Sequence, residues 1–144
     1  MDNRRKVLFI QKIGENEYET ESLWCEKKGK YYIVDNIPFI AKNISLGDTI
    51  QVEHDLEDNE YYFEDMIEVS GNTTIRILVY DNDIEKIRKW LKKKGCESEV
   101  LLERKIIAVN IPKAVKYLEI KSYLDQGENN KLFTYQESAL EHDS

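Results

Sequence analysis

Residues 73–112 read TTIRILVYDNDIEKIRKWLKKKGCESEVLLERKIIAVNIP. The opening run, 73–80, is rich in β-branched residues and alternates through Ile75, Ile77 and Val79, the period-two pattern of a strand with one buried face. Asp81 and Asp83 are capping residues for a helix beginning near Ile84, because a short acidic side chain accepts from the free N–H groups of a first turn. Ile84, Ile87 and Leu91 recur at helical spacing, with Trp90 beside them, and Gly95 supplies the left-handed residue that closes such a helix. Stretches 97–103 and 106–111 are strand-like, and only Arg104-Lys105 separates them, the spacing of a hairpin. Pro112 suits the first position of a second helix. Val115, Tyr117, Leu118, Ile120 and Leu124 give that helix its apolar face, Gly127 ends it, and 132–135 supplies a last short strand. The order is β-α-β-β-α-β, the ferredoxin-like split βαβ arrangement, with two helices on one face of a four-stranded antiparallel sheet.

Upstream of this block the punctuation changes. Short apolar or alternating runs at 6–13, 21–26, 31–34, 49–55 and 61–69 are separated by turn signals such as Lys28-Gly29-Lys30 and Leu46-Gly47-Asp48. Pro38 restricts 37–40 to an edge or the start of a strand. Short strands at this spacing predict a small β-barrel or rolled sheet. The fold class is therefore α+β, with an N-terminal β-rich subdomain over 1–71 and a ferredoxin-like half over 72–137. The two are expected to pack at the Ser70-Gly71-Asn72 seam, and 138–144 forms a frayed tail.

With 144 residues, 41% of them hydrophobic and 34% charged, the chain has apolar material for a core and more charge than an average domain. Its longest apolar runs are too short to span a bilayer, and the residues after Met1 do not form a signal-peptide core, so a cytoplasmic protein is expected. Cys25 and Cys96 are expected as reduced, buried thiols, with a disulfide between them the alternative. No Cys-x-x-Cys or His-x-x-x-His spacing occurs, so neither a metal nor a cofactor is expected.

Net charge is −7 and unevenly distributed. Between Asn43 and Ile75 there is no lysine or arginine, yet Asp48, Glu53, Asp55, Glu57, Asp58, Glu60, Glu64, Asp65 and Glu68 all fall there. The remainder of the chain sums to about +2. The predicted first helix is the basic counterpart, carrying Lys86, Arg88, Lys89, Lys92, Lys93 and Lys94 against Glu85. Lysines at a helix C-terminus complement the macrodipole without any partner. Nucleic acid is not the expected ligand, since the overall charge repels phosphate and no aromatic stacking motif lies on the matching strands. The acidic stretch is open to two readings. One is a solvated hairpin; the other is an interface in which Tyr61, Tyr62 and Phe63 anchor a partner steered by Asp55, Glu57, Asp58, Glu60, Glu64 and Asp65.

Catalytic signatures are missing from the sequence. There is no Gly-x-Ser-x-Gly elbow and no glycine-rich phosphate loop, and Cys25 stands beside Trp24 without a basic partner in a defined motif. His54, flanked by Glu53 and Asp55, is the one candidate acid–base residue, a strand-end histidine that fits exposure better than catalysis.

Leu23-Trp24, Asp35-Asn36-Ile37-Pro38-Phe39, Leu46-Gly47-Asp48, Ser70-Gly71 and Thr74-Ile75-Arg76 together resemble a bacterial family known as domain of unknown function 4265. The resemblance carries no catalytic residues. It implies that Asp35-Asn36 with Pro38 forms a turn with Phe39 as its core anchor, or that Asn36, Ser70 and Arg76 line a pocket at the seam. Two functions follow as expectations. The first is a non-enzymatic acidic binding protein, most concretely an immunity protein neutralising a basic, nuclease-type toxin. The second is a regulatory domain that binds a small molecule at the seam pocket.

Overall fold

In the computed structural model, residues 3–80 and 83–143 are described, and the chain divides into two compact units, 1–70 and 71–144. Asp81, expected as a helix cap, lies outside the described residues.

The first unit is a closed five-stranded barrel of β1 (Arg4–Gly14), β2 (Glu17–Lys28), β3 (Tyr31–Val34), β4 (Thr49–Asp55) and β5 (Glu60–Glu68). Successive strands pair antiparallel, and an odd-numbered meander must close with first and last strands parallel, as β1 and β5 do through Val7↔Tyr61 and Leu8↔Tyr62. Closure leaves no open edge on the barrel. Alternation sends Val7 and Phe9 of β1 inward, with Leu23 and Cys25 of β2 and Val34 and Ile50 of β3 and β4. Phe63 stacks on Phe9 at 5.0 Å between centroids, an aromatic pair inside this core.

The longest excursion, 35–48, contains the Asp-Asn-Ile-Pro-Phe motif. No strand forms at 37–40; the backbone there is fastened by side chains instead. Asn36 Oδ1 accepts from the Trp24 N–H at 2.6 Å, and Glu21, at an inward-facing position of β2, accepts from the N–H groups of Phe39, Ile40 and Ala41 at 2.7, 2.9 and 2.9 Å. Ile37 is buried in this turn, whereas Phe39, expected as its core anchor, is only half-buried. The loop ends at Asp48, whose buried carboxylate accepts from the N–H groups of Ser45 and Ser70, both at 2.8 Å. Burial pushes that carboxyl above its ordinary range, against the opposing effect of these hydrogen bonds.

The second unit is a four-stranded sheet, ordered β7-β8-β6-β9, with two helices: β6 (Thr73–Val79), α1 (Ile84–Lys93), β7 (Glu97–Leu101), β8 (Ile106–Ile111), α2 (Tyr117–Asn129) and β9 (Phe133–Ala139). All its strand pairs are antiparallel. Ile75, Ile77 and Val79 of β6 and Ile107, Val109 and Ile111 of β8 form one apolar face, packed with Ile87 and Leu91 of α1 and Tyr117, Ile120 and Leu124 of α2. Gly95 closes α1 at φ +90, as the spacing predicts.

Several local expectations give way here. Asp83 occupies the N-cap position without a side-chain cap bond; its carbonyl accepts from Ile87 N–H instead. The β7–β8 connection is a 3₁₀ turn, 102–104, closed by left-handed Lys105, because two residues are too few for this register. Pro112 opens a turn rather than α2, which begins at Tyr117, and Leu118 is 75% exposed on the outer side of that helix. Gly127 does not end α2 but sits within it. A Cβ there would lie 2.1 Å from the Phe133 ring, so glycine is needed for the ring to reach the core. The C-terminal segment is not frayed up to the last described residues. Ser138 and Ala139 complete β9, and Thr73 Oγ1 accepts from the N–H groups of Glu141 and His142 at 3.0 and 3.1 Å.

Both cysteines are free and buried, one in each core. Burial pushes the Cys25 thiol up to about 12 and the Cys96 thiol up to about 11. Among the described residues, no helix is long and apolar enough to cross a membrane.

Candidate site at the open end of the barrel

In an up-and-down meander, the start of β1, the β2–β3 turn and the β4–β5 turn share one end of the barrel. That end carries two features of opposite charge.

The first is the β4–β5 hairpin tip. Asp55 and Glu60 face each other at its base. Asp55 Oδ1 accepts from Glu57 N–H at 2.8 Å and Asp58 Oδ1 from Glu60 N–H at 2.9 Å, two local turns in which a carboxylate replaces a backbone acceptor. Asn59 adopts φ +59, the left-handed conformation this tight tip requires, and its Oδ1 lies 2.7 Å from His54 Nε2. Tyr62 points outward and donates to Asp58 Oδ2 at 2.6 Å. That bond holds the Asp58 carboxyl below the usual range and pushes the Tyr62 phenol up to about 12. At the apex Leu56 is 84% exposed, with Asp55, Glu57 and Asp58 as its chain neighbours.

The sequence-predicted interface is therefore only partly assembled. Asp55, Glu57, Asp58, Glu60 and Tyr62 do come together. Tyr61 turns inward onto the barrel core with Phe63, because its place in the alternation matches Val52 and Met66. Glu64 and Asp65 are exposed but stand roughly 13–17 Å along the strand from Glu60. A register shift between Gln51 and Val52 leaves Glu64 without a cross-strand partner. Asp48, counted in the acidic stretch, is buried and bonded. His54 lies flat on Tyr61, 4.2 Å between ring centroids, so its ring braces the hairpin.

The second feature is a cavity of 540 Å³ beside the hairpin, lined by Arg5, Lys27, Gly29, Lys30, Tyr32, Val52, His54 and Tyr61. Arg5 places its guanidinium carbon 4.6 Å from the centre of the Tyr61 ring. Composition hid this feature, since the three cations are dispersed in a chain of net charge −7. The available signals were the Arg4-Arg5-Lys6 run entering β1 and the Lys27-Lys28-Gly29-Lys30 turn, which only the barrel brings to one place.

The residues expected to line the alternative pocket are Asn36, Ser70 and Arg76. Asn36 Oδ1 is bonded to Trp24 and Ser70 Oγ donates to Leu46 O at 2.9 Å, both within the first unit. Arg76 is half-buried on β6 of the second unit, in register with Ala108 and Gln136. The basic helix finds partners within its own unit: Arg88 donates to Ser98 and pairs with Glu85, and Lys94 pairs with Glu119.

The architecture is thus a mixed α/β chain, a closed five-stranded barrel plus a four-stranded sheet with two helices. A family model described as "Domain of unknown function (DUF4265)" matches residues 21–135, and the chain belongs to that family. A search of curated proteins finds no match. Among solved structures, the chain is similar to a hypothetical protein from Neisseria gonorrhoeae, with TM-score 0.85 and 22% identity over 99% of this chain and 98% of that one. At that identity the likeness establishes the fold alone.

Proposed function

We propose that this chain is a non-enzymatic binding protein whose docking element is the β4–β5 hairpin, and that its partner is a basic protein surface. Its most concrete form is an immunity protein that occupies the phosphate-binding groove of a nuclease-type toxin. The observation supporting this reading is the tip itself: an apolar side chain, Leu56, exposed to 84% at the apex and ringed by carboxylates on a turn braced by side-chain hydrogen bonds. A rigid apolar anchor within a charged rim gives up little conformational entropy on docking, and the rim accelerates encounter with an oppositely charged partner. Within this reading the second unit is a ferredoxin-like scaffold. What supports that finer description is the strand order β7-β8-β6-β9 with helices following β6 and β8.

The test uses surface positions that make no side-chain bonds in the turn. Leu56→Ser with Glu57→Lys is introduced into the full chain, and binding is measured against the product captured by wild type from native lysate and the product of the neighbouring gene. The expected result is a loss of affinity of at least tenfold, roughly the 1.4 kcal/mol of one well-seated anchor, with a steep salt dependence in wild type. Unchanged affinity in the double variant refutes the hairpin as the docking element.

A further inference from the structure

The cavity at the barrel end has a charge pattern that the hairpin reading does not use. Its lining includes Arg5, Lys27 and Lys30 but no carboxylate, and none of the three is within salt-bridge distance of an acidic group among the described residues. In a chain of net charge −7 with 28 acidic side chains, three cations converging without a counter-ion among the described residues is a segregated arrangement. The acidic tip is on the same barrel end, yet Asp55, Glu57, Asp58 and Glu60 lie outside the lining. Of these, Asp55 accepts from the Glu57 N–H, and Asp58 accepts from the Glu60 N–H and the Tyr62 hydroxyl.

The geometry within the cavity favours an oxyanion. Arg5 is held over Tyr61, which in turn packs on His54 and lies 6.5 Å from Tyr32 between centroids, so the guanidinium stands on an aromatic support. An oriented guanidinium presents its donors as a planar fork, matched to two oxygens of one phosphoryl group. Lys27 and Lys30 flank the tight β2–β3 turn, where Gly29 adopts φ +61 and a Cβ would meet nothing within 4 Å. The space in front of that backbone is open. The volume, 540 Å³, exceeds a bare phosphate and falls within the range of small-molecule sites, and Tyr32, Val52 and Tyr61 give the rest of a ligand an apolar wall.

We propose that this cavity binds a phosphorylated small molecule, its phosphoryl group held by Arg5, Lys27 and Lys30 and its body against Tyr32, Val52 and Tyr61. The site is separate from the docking tip, so a ligand there is positioned to modulate the hairpin through His54 and Tyr61, which line the cavity and pair across the two hairpin strands.

The experiment titrates inorganic pyrophosphate, adenosine monophosphate and, as a charge control, sulfate into the isotopically labelled full chain at fixed ionic strength. Amide and arginine side-chain NMR signals report the binding. Pyrophosphate or the nucleotide should shift Gly29, Lys30 and the Arg5 Nε–H, saturably and more tightly than sulfate. Lys27→Gln with Lys30→Gln, both at exposed positions, should weaken binding about tenfold while leaving the fold unchanged. Leu56→Ser with Glu57→Lys should leave it unaltered, which separates failure of this site from failure of the docking tip. Three results would overturn the proposal: shifts no tighter than with sulfate, shifts located elsewhere, or insensitivity to the lysine variant. A single-stranded oligonucleotide that binds more tightly than the nucleotide, with shifts extending beyond the cavity, would also overturn it by making the site part of a nucleic-acid surface.

Discussion

Replacing Glu21 with alanine should cripple the barrel although it removes no apolar contact. Glu21 is 8% exposed, and its carboxylate accepts three backbone N–H groups of the 35–48 loop at 2.7–2.9 Å. In the alanine variant the Ala41 N–H, on a fully buried residue, is left without this acceptor, at a cost of about 1–3 kcal/mol. The Phe39 and Ile40 N–H groups are on half-buried residues and can recruit water, which reduces their cost to about 1 kcal/mol each. The total is about 3–5 kcal/mol, a large fraction of the stability of a unit of this size. Glutamine keeps one acceptor in the same shape and should lose about 1–2 kcal/mol. The assay is urea unfolding followed by Trp24 fluorescence in a Trp90→Phe background, since Trp24 lies on β2 and Trp90 belongs to the other unit. With a slope near 1 kcal/mol per molar urea, alanine should lower the midpoint by about 3–5 M and in practice leave the barrel largely unfolded in buffer. If both variants stay within about 1 kcal/mol of wild type, or glutamine is the more damaging, the carboxylate does not hold the loop.

Three further outcomes follow from the geometry. Gly127→Ala drives a methyl into the Phe133 ring, 2.1 Å away, and should destabilise the second unit by about 2–3 kcal/mol, read by Trp90 fluorescence in a Trp24→Phe background. Neither Cys25 nor Cys96 should react with a thiol reagent at pH 8 in the native state, since both are buried and raised to about 12 and 11, and both should label on unfolding. Because burial raises the Asp48 carboxyl above its ordinary 3.8, the folded state holds that proton longer than the unfolded chain does. The stability of wild type relative to Asp48→Asn should therefore fall as pH rises from about 4 upward through the acid range, and a constant difference in paired urea melts would contradict this.

Local chemistry made much of this protein legible from its residues. Alternation in β6 and β8, the helical spacing of Ile87 and Leu91, and the left-handed Gly95 are properties of nearest neighbours, and they specify strand, helix and stop without reference to the rest of the chain. Short-range reading failed where a distant partner intervened. Gly127 looks like a helix stop until the Phe133 ring is placed against it, and Glu21 looks like a solvated strand residue until the 35–48 loop arrives. The acidic hairpin was legible as composition, but its division into an outward Tyr62, an inward Tyr61 and a displaced Glu64 depends on how β5 closes the barrel against β1 and β4. The basic cavity was beyond any local reading. Arg5, Lys27 and Lys30 are separated along the chain by strands of ordinary character, and only barrel closure brings their charges together. Sequence by itself determined the elements and their order, because those rest on interactions a few residues long. Which side chains meet at the hairpin end of the barrel was decided by tertiary structure, because charge and shape there are sums over strands far apart in sequence.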